Sequence, residues 1–96
     1  MADASPPPTI TFLTRTGCHL CDDAREEIAV LISERAASGR SVPRVVEVDI
    51  DADPVLHARH FETIPVIQCG SDELLLAVRP DAIRRFLAKV LDGVPA

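Results

Sequence analysis

Residues 9–28 read TITFLTRTGCHLCDDAREEI, and the change of pattern inside this stretch decides the fold. Its first part, TITFLT (residues 9–14), is rich in β-branched and aromatic residues and predicts a short, buried first strand. Gly17 interrupts that pattern, and from Cys18 onward apolar residues recur at helical spacing until Gly39 ends the helix. The predicted buried face of this helix consists of Leu20, Ala24, Ile28, Leu31 and Ile32.

Three further strands and two further helices are predicted in the rest of the chain. The strands are expected at residues 44–50, 65–69 and 73–78, and the helices at residues 51–61 and 80–92. Asp53 is the predicted N-cap of the shorter helix, and Pro54 is its first helical residue. The strand–helix–strand unit implies a right-handed parallel crossover, and the last two strands add an antiparallel hairpin. We therefore predict an α/β protein, β-α-β-α-β-β-α, with one four-stranded mixed sheet flanked by helices.

Composition limits the size of the protein and its partners. With 96 residues, 47% of them hydrophobic, the chain can build one domain with a core that needs no disulfide staples. A net charge of −5 argues against binding nucleic acid or an anionic membrane through a basic surface. The chain contains no apolar run of the roughly 18 residues that a membrane span requires.

The predicted domain occupies residues 9–92. Residues 1–8 contain three consecutive prolines among small polar residues and are expected to form a disordered tail, and residues 93–96 form a short C-terminal tail. The opening MADASPPPT lacks the features of a signal peptide, so we expect a cytoplasmic protein. We also expect a monomer.

Cys18 and Cys21 form a C-x-x-C pair, and Cys69 is the third cysteine. In a reducing cytosol a close pair is more often catalytic or metal-binding than structural. Cys18 falls at the junction of strand and helix, where unpaired backbone N–H groups and the helix dipole favour negative charge and commonly lower the pKa of a thiol. We predict that Cys18 is the nucleophile and that Cys21, one turn on and more protected, resolves the mixed disulfide. Arg15, three residues before Cys18, could stabilise the thiolate or steer an acidic thiol substrate.

A metal site is the main alternative for the cysteine pair. Cys18 and Cys21 supply half of a zinc site, and Cys69, His57 or His60 would have to complete it. Neither a second C-x-x-C nor an H-x-x-x-H motif is present, although one pair per chain could share a zinc or iron–sulfur cluster across a dimer. The two histidines are otherwise expected to be surface or partly packed residues, and Cys69 a small buried residue of its strand. A third reading is a redox-inactive binding module with the same fold.

The segments TFLTRTGCHLCDDAREEI and VVEVDIDADPVLHARHFETIPVI together resemble the glutaredoxin-like branch of the thioredoxin superfamily. The resemblance is to small single-domain bacterial glutaredoxin-like proteins with a C-x-x-C motif, and it covers roughly residues 9–92. It implies a thioredoxin fold and a thiol–disulfide oxidoreductase that cycles Cys18 and Cys21 between dithiol and disulfide. No prosthetic group is implied.

The resemblance also implies a substrate site. Pro65 in the sequence Thr63-Ile64-Pro65 resembles the cis-proline that faces the cysteines in this superfamily, and the residue before it offers backbone groups to an extended thiol substrate. Arg15 matches the basic position that glutaredoxins place before the first cysteine. The Gly-rich, Asp-containing segment that helps glutaredoxins bind glutathione is replaced by AVRPDAI. The expected partners are therefore glutathione or another small thiol, or a disulfide-containing protein, together with a reductant.

Overall fold

The fold was analysed in a computed structural model, which describes residues 7–93. Most of the two predicted tails, residues 1–6 and 94–96, lies outside the described residues. The strands are β1 (Thr9–Thr14), β2 (Arg44–Asp49), β3 (Val66–Cys69) and β4 (Asp72–Leu74). The helices are α1 (His19–Ala37), α2 (Pro54–His60) and α3 (Pro80–Asp92), with a 3₁₀ turn at Ile50–Ala52. None of the described helices is both long and apolar enough to cross a membrane.

The strands form one four-stranded mixed sheet, as predicted, and their order in it is β2-β1-β3-β4. β1 and β2 are parallel, with Thr14 beside Asp49 at their carboxyl ends. β3 runs antiparallel to both β1 and β4, and Leu13 is paired with Val66. Because of this register, the residues that follow β1 and the residues that precede β3 lie at the same edge of the sheet. The functional residues predicted from the sequence are distributed along that edge.

Helices cover both faces of the sheet because successive residues of β1 point to opposite sides. Phe12 belongs to the larger core cluster, which α1 and α3 close from one side with Ile28, Ile83 and Leu87. Leu13 belongs to a second cluster on the opposite face. Its other members and the side chains packed on them are Ile50, Val66, Val48, Leu56 and Ile64. The three-layer arrangement that the sequence predicted is therefore present.

The buried face of α1 differs from the predicted face at its first position. Cys21 is fully buried, whereas Leu20 is 49% exposed. The buried residues follow the three- and four-residue spacing of one helix stripe, namely Cys21, Ala24, Ile28, Leu31 and Arg35. Leu20 lies outside that stripe and is left at the surface beside the cysteines.

The predicted helix at residues 51–61 is two elements. Asp49 accepts a hydrogen bond from the backbone N–H of Asp51 and caps the 3₁₀ turn, so β2 ends one residue earlier than predicted. Asp53 then caps α2 through bonds from the N–H groups of Val55 and Leu56, which confirms its predicted role. Pro54 occupies the first helical position, as predicted.

The predicted last strand, residues 73–78, is wrong after its second residue. Beyond Leu74 the chain turns at Leu76, which has a φ of 50°, and leaves the sheet. The N–H of Leu76 donates to the carbonyl of Thr63 and the N–H of Ala77 to that of Pro65, both at 2.8 Å. Leu76 and Ala77 therefore satisfy their N–H groups against the loop before β3 rather than by extending β4, and the N–H of Val78 donates to the carbonyl of Leu76.

Candidate active site

The two cysteines lie where β1 gives way to α1. Gly17 in the connecting turn has a φ of 80°, a conformation that favours glycine. Cys18 is the N-cap of α1, and its Sγ accepts a hydrogen bond from the N–H of Cys21 at 3.1 Å. The two sulfurs form a disulfide across a Cα–Cα distance of 5.2 Å. The pair is thus in its oxidised form, at the positive end of the helix dipole.

The two cysteines differ in burial. Cys21 is 0% exposed and packs into the body of the protein, whereas Cys18 is half-buried at the surface. A large substrate can therefore approach Cys18 and not Cys21. This asymmetry is what the sequence led us to expect of an attacking and a resolving cysteine.

The Thr63–Pro65 loop precedes β3 at the sheet edge that β1 also reaches. The Ile64–Pro65 peptide bond is cis, as the resemblance implied. The N–H of Ile64 is already used, because it donates to the carbonyl of His60 at 3.2 Å. Among the described residues, none donates a hydrogen bond to the carbonyl of Ile64. The Ile64 carbonyl therefore has no donor among the described residues, whereas the Ile64 N–H is engaged by His60.

Arg15 lies in the turn before the cysteines but is engaged elsewhere. Its Nε donates to the carboxylate of Asp51 at 2.9 Å, and His57 Nε2 lies 3.6 Å from the other oxygen of the same carboxylate. Thr16 Oγ1 makes a parallel contact with Asp49 at 3.2 Å. These contacts attach the turn to the connection between β2 and α2. The side chain of Arg15 is still 47% exposed, so part of its charge remains accessible to a substrate.

A second polar network beside the cysteines was not predicted. Arg25 donates to Glu47 at 2.9 and 2.6 Å and to Asp22 at 2.8 Å, and Thr14 donates to Glu47 at 3.0 Å. The hydrogen bond from Arg25 holds the pKa of Glu47 below its usual value. Together with Arg15 and its neighbours these residues line an open cleft of about 470 Å³. The Asp22–Arg25 spacing was visible in the sequence, but the contact with Glu47 joins residues 22 positions apart.

The remaining histidines and the third cysteine differ from expectation. His60 is only 3% exposed rather than a surface or partly packed residue, because α2 buries it against the loop that follows. Cys69 is half-buried rather than buried, since it lies at the end of β3 beside the turn into β4. Within residues 7–93, no three His, Cys, Asp or Glu side chains are grouped to hold a metal ion. The completion of a zinc site by Cys69, His57 or His60 is therefore not realised in this fold.

Solved structures with the same architecture come from several organisms. Target protein XcR50 from X. campestris is 26% identical with a TM-score of 0.64, over 90% of this chain and 99% of that chain. Protein Ne2328 from Nitrosomonas europaea is 22% identical with a TM-score of 0.58, over 90% and 98%. A malarial protein is 15% identical with a TM-score of 0.59, over 90% of this chain and 99% of that chain. The last two similarities show the fold alone. A search of curated proteins found no match.

A family model described as Glutaredoxin-like domain (DUF836) matches residues 9–88. The matched segment includes both cysteines and the Thr63–Pro65 loop. The chain therefore belongs to the glutaredoxin-like domain family.

Proposed function

We propose that this member of the glutaredoxin-like domain family is a thiol–disulfide oxidoreductase that cycles Cys18 and Cys21. The observation that carries the proposal is the position of the Cys18 sulfur at the N-terminus of α1, within 3.1 Å of the Cys21 N–H and bonded to a buried partner. Exchange requires an attacking sulfur that a substrate can reach, and Cys18 meets that requirement whereas the buried Cys21 does not.

The helix end favours the reactive form of Cys18. In the reduced protein the same N–H and the aligned peptide dipoles of α1 would face a thiolate, which is the nucleophilic species in exchange. Hydrogen bonds to a charged acceptor are worth more than neutral ones, about 1.5–3 kcal/mol each. Asp22 is an acidic residue in the first turn of α1, and its charge would disfavour a thiolate at Cys18. Arg25 donates a hydrogen bond to Asp22, and the positive charge of Arg25 reduces this effect.

The cycle balances in two exchange steps. The Cys18 thiolate attacks one sulfur of a substrate disulfide, forms a mixed disulfide and releases the other sulfur as a thiolate. Cys21 loses its proton and attacks Cys18 Sγ, which releases the second substrate thiolate and closes the Cys18–Cys21 disulfide. Two electrons have then passed from the protein to the substrate. Two equivalents of a small thiol such as glutathione, or one dithiol protein, restore the reduced form.

Surface chemistry near Cys18 favours a polypeptide substrate. Leu20, two residues after Cys18, is 49% exposed. Leu76, whose N–H donates to the carbonyl of Thr63, is 51% exposed. The free carbonyl of Ile64 provides an acceptor for a backbone N–H of an extended segment. A small disulfide could react at Cys18 but would use neither feature. We therefore propose a disulfide-containing protein as substrate, Thr63, Ile64 and Pro65 as its binding loop, and the exposed part of Arg15 as a contact for acidic groups.

The test is equilibration of the protein in a graded dithiothreitol redox buffer, with free thiols counted and metal assayed alongside. We expect two thiols to disappear together at one potential without bound metal. Cys18→Ser should abolish exchange, and Cys21→Ser should accumulate the mixed disulfide. Cys69→Ser is the matched control, since Cys69 lies outside the pair, and its potential should equal that of the wild type.

Two results would refute the assignment. Full exchange activity in Cys18→Ser would remove the proposed nucleophile. Stoichiometric zinc or iron, with thiols protected until a chelator is added, would make the pair a metal ligand set shared between chains.

A further inference from the structure

His60 is a buried polar residue that the exchange reaction does not use. Its side chain is 4% exposed, and its Nε2 has no hydrogen-bond partner within residues 7–93. The nearest carboxylate oxygen, Glu73 Oε2 on β4, is 3.8 Å away. Buried polar atoms without a partner are uncommon, and each one indicates a constraint imposed by something else in the structure. For His60 that constraint is the loop that carries the proposed substrate site.

His60 holds the start of this loop through both its backbone and its ring. Its carbonyl accepts hydrogen bonds from the N–H of Thr63 at 2.9 Å and from that of Ile64 at 3.2 Å. Its Nδ1 lies 3.1 Å from Thr63 Oγ1. Thr63 in turn accepts the N–H of Leu76 through its carbonyl, at 2.8 Å. One residue of α2 therefore connects the loop with the segment that folds back after β4.

The surroundings of the ring determine where its protons lie. The carboxylate of Glu73 can only accept, and it is fixed on β4 by a bond of 2.7 Å from Gln68 Nε2. We assign the proton to the ring nitrogen that faces it, Nε2. In that neutral tautomer Nδ1 is an acceptor, so the Thr63 hydroxyl has two acceptors on His60, Nδ1 at 3.1 Å and the backbone carbonyl at 3.3 Å. The ring thus restricts the rotation of the Thr63 side chain.

We propose that His60 is a positioning residue for the Thr63–Pro65 loop, which rests on the proposed function in that this loop binds the substrate protein. The bond from Thr63 to Nδ1 fixes the loop backbone so that the N–H of Ile64 stays turned toward His60 and its carbonyl stays available. His60 acts through Thr63 and contacts neither cysteine in the proposed reaction. Its loss should therefore weaken binding of an extended substrate without altering the chemistry of the cysteine pair.

Four variants of the full chain separate this role from simple space filling. His60→Phe keeps an aromatic ring but removes both nitrogens. His60→Asn retains a polar atom near the position of Nδ1. Thr63→Val removes the hydroxyl with almost no change of shape. His57→Phe is the matched control. It replaces a histidine of the same helix by phenylalanine at a position where the side chain is 42% exposed.

Amide hydrogen exchange of Ile64 and Leu76 measures the order of the loop without any turnover. We expect His60→Phe and Thr63→Val to lower the protection of both amides about five-fold, which is the size of one net hydrogen bond. His60→Asn and His57→Phe should stay close to the wild type. If His60→Phe fails to fold, His60→Leu takes its place, because it also removes both ring nitrogens and leaves the bond from Thr63 to the His60 carbonyl in place. Unchanged protection in Thr63→Val, or an equal loss in His60→Asn and His60→Phe, would overturn the positioning role.

Steady-state kinetics then test whether the loop order matters to substrate. With insulin as the protein disulfide, KM should rise about five-fold in His60→Phe and Thr63→Val while kcat is unchanged. With bis(2-hydroxyethyl) disulfide, which is too small to pair with the loop, both constants of His60→Phe should equal those of the wild type. An equal rise of KM for the two substrates would refute the proposal. Failure of the wild type to cycle its disulfide would instead refute the proposed function, and the exchange data would still decide the role of His60 in the loop.

Discussion

Replacing Asp92 by asparagine should destabilise the protein by about 2–3 kcal/mol at neutral pH. The reason lies in Arg35, whose side chain is 8% exposed and whose one anionic partner among the described residues is Asp92 on α3. Its other bond, at 2.6 Å, goes to the neutral carbonyl of Ser41. Removing one member of a buried ion pair leaves the other charge uncompensated, which typically costs about 3–5 kcal/mol. We take a lower value because Asp92 is 24% exposed and water can partly replace it.

The destabilisation should depend on pH in a known direction. The hydrogen bond from Arg35 lowers the pKa of Asp92 in the folded protein, with a smaller coulombic contribution from Arg35 and Arg40. A carboxyl group whose pKa is lower in the folded than in the unfolded protein stabilises the fold at pH values above its unfolded pKa, about 3.9. This stabilisation is lost as the pH falls through the pKa of the folded protein. The gap between wild type and Asp92→Asn should therefore be full at pH 7 and should narrow below about pH 4.

Urea denaturation of the oxidised proteins, followed by circular dichroism at pH 7 and at pH 3, measures this gap. The matched control is Glu34→Gln, which breaks the exposed pair with Arg84 and should change the free energy of unfolding by less than about 0.5 kcal/mol. Neither variant should shift the Cys18–Cys21 potential. A loss below about 0.5 kcal/mol in Asp92→Asn at pH 7, or an equal loss at both pH values, would refute the reasoning.

Three further substitutions test the parts of the structure that carry the site. Gly17→Ala places a side chain at a φ of 80° and should lower the free energy of unfolding, measured by urea denaturation, by about 1 kcal/mol. An unchanged free energy of unfolding would mean that the turn accommodates alanine without strain. Asp53→Ala removes the N-cap of α2 and should lower the free energy of unfolding by about 1 kcal/mol in the same assay. An unchanged denaturation midpoint would contradict the capping role of Asp53. Leu20→Asn changes a half-exposed residue, so stability should stay within about 0.5 kcal/mol while KM for insulin rises; an unchanged KM would exclude Leu20 from the docking surface.

The part of the fold that could be predicted from sequence is the part determined by neighbours in the chain. β1, the turn at Gly17 and α1 follow from periodicity and one glycine, and the cap at Asp53 follows from its proximity to Pro54. The end of β4 could not be predicted, because ELLLAV is as apolar as a strand should be. The acceptors that take Leu76 out of the sheet lie more than ten residues earlier in the chain.

The same distinction holds for the site. The C-x-x-C motif and the Thr63-Ile64-Pro65 sequence are local and were identified, whereas the contact between Arg25 and Glu47 depends on how α1 packs against β2. The burial of His60 depends on how α2 packs under the loop, and a helix of seven residues is too short to give a periodic signal for it.

The fold-back of residues 75–78 has a consequence for the order in which the site is completed during synthesis. Cys18 and Cys21 leave the ribosome early, with the first strand and the first helix. The carbonyls of Thr63 and Pro65 gain their partners only when Leu76 and Ala77 have followed. A nascent chain therefore carries the Cys18–Cys21 dithiol before the Thr63–Pro65 loop has gained these partners. Under the proposed function, we expect the cysteines to be open during that interval to any small oxidant or thiol, while selection of a protein substrate waits for the C-terminal third of the domain.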